Sequence, residues 1–129
     1  MKRKQPIRFV LDCDLYCANI YVSVGGSAKD AVKWWHQKIG FKGPIDATDD
    51  HERRVGTVFS VEGNMGCLIW LWSPSIGVGT LSHECFHATC RILDHTGMRC
   101  VNENEEAYAY LLTWISREVA LKIWHRRKK

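Results

Sequence analysis

The stretch "TLSHECFHATCRILDH", Thr80 to His95, decides how this chain is read. Thr80 is a plausible helix N-cap, Phe86, Ile92 and Leu93 supply apolar positions, and Gly97 follows as a stop signal, so the spacing predicts a helix ending near His95. Within it His83 and His87 lie four residues apart, on one face of a helix, where two imidazoles can aim at a common centre. Zinc accepts that geometry, at Zn–N distances of about 2.0–2.1 Å. Glu84, one residue along, would sit beside such an ion without binding it, which suits a base that takes a proton from metal-bound water. The competing reading is two half-buried histidines, each bonded to a backbone carbonyl.

Outward from this helix, the chain reads as one α+β domain over residues 1–129. "IRFVLDCDLYCANIYVSV" is rich in β-branched and aromatic residues and predicts one long strand or two short ones, ending at Gly25-Gly26. "SAKDAVKWWHQKIG" predicts a helix with Ser27 as N-cap, Asp30 in the first turn, an apolar stripe of Ala31, Trp34, Trp35 and Ile39, and Gly40 as its end. "FKGPIDATDDHERR" is polar and turn-rich and reads as a loop. "VGTVFSVE" and "GCLIWLWS" flank Gly63-Asn64 as a β-hairpin. A last helix starts near Asn102 to Asn104 and runs to about Trp124, with Ala107, Leu111, Trp114, Ile115, Val119 and Ile123 at helical spacing. The expected fold is a small mixed sheet of three to four strands packed on two C-terminal helices.

Composition narrows the classes. Apolar residues at 46% and charged residues at 25% fit a globular chain rather than a disordered one. A net charge of +4 is mild for a nucleic-acid domain, although "MKRK" at one end and "HRRKK" at the other allow a weak electrostatic contact with nucleic acid. No apolar run is long enough for a membrane span or a secretory signal, so the expectation is a cytoplasmic protein. On that basis the six cysteines, none in a C-x-x-C pair, are expected as free thiols.

A catalytic zinc site needs a third protein ligand. The spacing that would mark a metzincin is filled here by Cys90 and Leu93, His95 lies too far along the same helix, and Cys85 and Cys90 are rotated off the histidine face. Glu103, Glu105 and Glu106 remain, at the start of the last helix. H-E-x-x-H, eighteen residues, then Glu106 and Ala107 resembles the gluzincins, the thermolysin-like zinc metallopeptidases, and Thr80 to His95 is similar to the active-site helix of small SprT-like and phage-encoded zinc peptidases. The resemblance spans about Thr80 to Leu112. It implies a zincin-like fold, Zn²⁺ held by His83, His87 and Glu106 with Glu105 as the alternative third ligand, Glu84 as the base, and a peptide or protein substrate. Thermolysin-like enzymes carry an Asp where this chain has Tyr110, and their downstream His has no counterpart; Tyr108 and Tyr110 are the candidates to stabilise the oxyanion.

Two readings concern the substrate. "GCLIWLWS" is either an edge that pairs with an extended peptide, with Trp70 and Trp72 on one face, or the most buried strand of the sheet. "SPSIGVG" is a candidate cleft rim, and "DATDDHERR" a solvated turn or a source of specificity. The alternative to a peptidase is a non-catalytic, zinc-stabilised module that binds protein or DNA.

Overall fold

The computed structural model describes residues 5–45, 47–48, 51 and 54–127. The long N-terminal run is two strands, β1 (Ile7–Cys13) and β2 (Ala18–Val24), paired antiparallel from Ile7 opposite Val24 to Cys13 opposite Ala18. The reversal falls at the 3-10 turn Asp14–Tyr16 and at Cys17, whose left-handed backbone (φ 52°) closes it. Helix α1 (Ala28–Ile39) begins and ends as its sequence dictates. The Ser27 hydroxyl accepts the Asp30 N–H at 3.0 Å, and Gly40 takes the left-handed conformation, for which a residue without Cβ is suited. Of the loop that follows, Asp46, Asp49, Asp50, Glu52 and Arg53 lie outside the described residues.

Strands β3 (Gly56–Phe59) and β4 (Cys67–Leu71) form the hairpin, and β4 also pairs in parallel with β2. The sheet order is therefore β1-β2-β4-β3. Both backbone edges of β4 are occupied by neighbouring strands, so it is the buried strand and not a peptide-docking edge. All five of its residues are buried. The outer strands of the sheet are β1 and β3.

Helices α2 (Val78–His95) and α3 (Glu105–Arg127) follow, with a 3-10 turn at Asn102–Asn104 between them. The fold is α+β: among the described residues, a four-stranded mixed sheet and the helices α1, α2 and α3. The period-2 alternation of β4 sorts two cores. Cys67, Ile69 and Leu71 pack with Cys85, Ala88, Ile92 and Leu93 of α2 and with Leu111, Ile115, Val119 and Ile123 of α3. Leu68 and Trp70 point to the opposite face, against Ala28, Ala31, Val32 and Trp35 of α1. The sheet is thus covered on both sides, and Trp70 Nε1 reaches the Gly26 carbonyl at 3.3 Å. Each large apolar side chain so buried contributes about 1.5–3 kcal/mol, less the entropy of ordering it. Trp35 Nε1, buried without a hydrogen-bond partner among the described residues, works against that gain. Trp72 does not share the burial of Trp70: it lies past the end of β4 and is 61% exposed.

All six cysteines are unpaired. Burial pushes the Cys67 thiol up to about 12 and the Cys85 thiol up to about 11, so both are protonated packing groups at neutral pH. No helix among the described residues is long and apolar enough to cross a membrane.

Candidate functional site

Helix α2 starts three residues earlier than its sequence suggests, with Gly77 rather than Thr80 at the N-cap, which leaves Thr80 inside the first turn. Its C-terminus closes through Gly97 (φ 83°), where the Met98 N–H reaches the Leu93 carbonyl and the Gly97 N–H reaches the Asp94 carbonyl. The buried side of α2 fixes the helix on the sheet. The other side, which carries His83 and His87, is exposed to solvent.

The two Nε2 atoms of His83 and His87 stand 3.1 Å apart, with the ring centroids 4.7 Å apart. Two nitrogens bound tetrahedrally to one zinc ion at about 2.0–2.1 Å would stand roughly 3.3 Å from each other. The pair therefore fits a shared metal. Glu84 lies one residue along and is only 6% exposed. Burial raises its carboxyl above the ordinary carboxylate range, while the charges of His83, His87 and Arg54 pull it back down. A carboxylate raised in this way is a better proton acceptor than one in open water.

A glycine makes the room for that carboxylate. A Cβ at Gly56 of β3 would stand 2.9 Å from Glu84 Cγ, 3.2 Å from Leu71 Cδ2 and 3.3 Å from the Trp70 carbonyl oxygen. The backbone of β3 and the arm of Glu84 thus touch across the space between sheet and helix. Around them opens a cleft of about 780 Å³. Arg54 and the segment Val55–Val58 form one wall, and Gly79, Thr80, His83, Glu84, His87 and Arg91 form the other. The outer strand of the sheet at this wall is β3.

The structure brings His83, Glu84 and His87 together but does not bring Glu106 to them. Two contacts set the antiparallel register of α2 and α3: the Tyr108 hydroxyl lies 3.4 Å from Asp94 Oδ1, and the Ser116 side chain lies against the Cys85 thiol. In that register His87 is level with Trp114 and Ile115. Glu106 is level with the end of α2, roughly 12 Å along the axis at 1.5 Å per residue. It also shares a helix face with Tyr110, four residues on, which is 74% exposed. Glu105 lies at the same end. Among the described residues no third His, Cys, Asp or Glu joins the pair in a group able to hold a metal.

Neither tyrosine proposed as an oxyanion donor lines the cleft. Tyr108 is buried, and its hydroxyl donates to the Met98 carbonyl at 3.1 Å. Tyr110 lines a different groove, with Asp12, Asp14 and Arg117. The residues missed from sequence are Arg54, Gly56, Thr57 and Arg91. Arg91 was within reach, because it continues the i, i+4 row of His83 and His87 by one more turn. Arg54 is the last residue of "DATDDHERR", a stretch whose sequence allows a source of specificity or a solvated turn without singling out any one residue.

Compared with family models, with curated proteins and with solved structures, the chain matches none.

Proposed function

We propose that the cleft between β3 and α2 is the active site of a zinc-dependent peptidase. One observation carries the reading: two imidazole nitrogens 3.1 Å apart, with a nearly buried carboxyl between them and the sheet. His83 and His87 would hold the ion. Zinc, when bound there, would supply a Lewis acid and favour ionisation of water at neutral pH. Glu84 takes the proton of the attacking water and passes it to the departing amine. Gly56 keeps the approach to Glu84 clear, and the walls on either side fix the position of the peptide carbonyl. The outer edge of β3 is placed to pair with an extended chain, the role that β4, paired on both sides, does not fill.

The purified chain should bind one zinc ion, read by elemental analysis. Glu84→Gln should keep the metal and lose hydrolysis of a casein or peptide-library substrate by at least about a thousandfold, the scale on which a general base that also orients the nucleophile is felt. His83→Ala should lose metal and activity together. Undiminished hydrolysis by Glu84→Gln would sink the mechanism.

The position of Glu106 favours a second reading, a zinc-stabilised binding module without turnover. With two protein ligands in place, a metal would tie α2 to a partner or stabilise the fold without assembling a full catalytic set. A zinc-loaded protein that hydrolyses no member of a broad peptide library, while its stability rises with zinc, is the outcome that selects this reading.

A further inference from the structure

Among the described residues the charges lining the cleft are unbalanced: Glu84 is their one carboxylate, against the two arginines Arg54 and Arg91. Arg91 extends from α2, one turn beyond His87, and is exposed. Arg54 comes from the opposite side, two residues before β3 begins, close enough for its charge to act on Glu84. Both arginines therefore line the cleft that holds the His83–Glu84–His87 row, one from the helix wall and one from the strand wall. Each presents a planar fork of donors that matches a carboxylate bidentately. A bound zinc ion would make the cleft more positive still.

We propose that the cleft recognises an anionic peptide, gripping one carboxylate between Arg54 and Arg91 next to the amide to be cut. The inference rests on the peptidase reading of the same cleft and adds the substrate class to it. A peptide can present that anion as an Asp or Glu side chain or as its free C-terminus. The first gives an endopeptidase for acidic sequences and the second an enzyme that trims chain ends. The cleft itself requires only the carboxylate. Thr80, on the helix wall, adds a hydroxyl that can bond the peptide backbone around it.

The test separates recognition from turnover by measuring binding to zinc-loaded Glu84→Gln protein. Three fluorescein-labelled peptides of one neutral sequence are compared by anisotropy: both ends blocked, both ends blocked with one central Gln replaced by Glu, and a free C-terminal carboxylate. One of the two carboxylate-bearing peptides should bind at least about tenfold more tightly than the neutral one, as a charge-assisted bidentate contact requires. The winning arm identifies the source of the carboxylate. Raised salt should erode this preference. In the same background Arg91→Ala and Arg54→Ala should each reduce it, and Arg91→Lys, which keeps the charge but not the fork, should restore part of it. Arg91→Gln serves as a second neutral variant, and circular dichroism checks that each protein is folded. Equal binding of all three peptides, or a preference that survives Arg54→Ala with Arg91→Ala, would overturn the proposal. Wild-type hydrolysis of the same peptides keeps the two inferences apart. Cleavage without acid preference breaks only this one, whereas acid-selective binding with no cleavage breaks only the peptidase reading.

Discussion

One face of α2 carries Cys85, Ala88, Thr89 and Ile92, all buried against the sheet and α3, while the other carries His83, His87 and Arg91, all exposed to the cleft. The buried row is what folding requires. Its side chains are small or branched, they fill the space above Cys67, Ile69 and Leu71, and the lone hydroxyl among them, that of Thr89, is satisfied by the Cys85 carbonyl at 2.8 Å. Nothing in the packing requires the exposed row. Solvent-facing positions tolerate most polar residues at a cost within about 0.5 kcal/mol. Two rows on one helix therefore answer to different demands, and substitution should pull them apart.

The largest effect on stability belongs to the buried row. Ile92→Ala should destabilise the protein by about 2–5 kcal/mol in urea unfolding, because α2 is held from both the sheet and α3 and has little freedom to collapse into the void. The fraction that remains folded should still respond to zinc. A small cost, under about 1 kcal/mol, would mean that the sheet and helix packing described above is wrong.

Gly56→Ala tests where the two rows meet, since Glu84 belongs to α2 but leans on β3. The added methyl group has no room beside Glu84 Cγ and the Trp70 carbonyl, and overpacking of this kind costs about 1–3 kcal/mol. Hydrolysis should fall further than the loss of folded protein accounts for, with zinc content unchanged. A variant as active as the parent would show that the contact between Gly56 and Glu84 does not position the carboxyl.

In the exposed row, His83→Ala should change the stability of metal-free protein by no more than about 0.5 kcal/mol, and the stabilisation by zinc proposed for the parent should be absent from it. The melting temperature with and without zinc reads both numbers. An undiminished zinc-dependent shift in His83→Ala would place the metal elsewhere.

The same division explains how far the sequence carries. Local signals were legible: the Ser27 cap and Gly40 stop of α1, the pairing of β3 with β4, the extent of α2 to His95, and the alignment of His83 with His87. Each is decided within a few residues. What the sequence did not show is set by contacts between distant segments. That β4 lies inside the sheet depends on its parallel pairing with β2, more than forty positions away in the chain. That α1 covers the second face of the sheet depends on Trp70 pointing there. The level of Glu106 against α2 depends on how far α2 continues past His87 and on the turn that follows, so a spacing of eighteen residues did not fix a distance in space. The two arginines of the cleft come from segments far apart in the chain, one on α2 and one leading into β3.

The smallest expected effect tests the side of the molecule away from the cleft. His36, on α1, is nearly buried between Trp35 and Phe41, with ring centroids at 5.3 and 4.7 Å, and burial lowers its pKa below the ordinary 6.5. Folding therefore favours the neutral ring, and between the lowered value and 6.5 the unfolded chain binds more protons than the folded one. The contribution of His36 to stability is thus complete above about pH 6.5 and is lost as pH falls through that value, levelling off below the lowered pKa. His36→Phe, which cannot titrate, should remove this dependence. The difference in urea midpoint between parent and variant should shift in the variant's favour as pH is taken from 7.5 to 5, while zinc binding by His83 and His87 at pH 7.5 stays the same in both proteins. A difference that is flat with pH would mean that the ring is protonated as readily in the folded protein as in the unfolded chain.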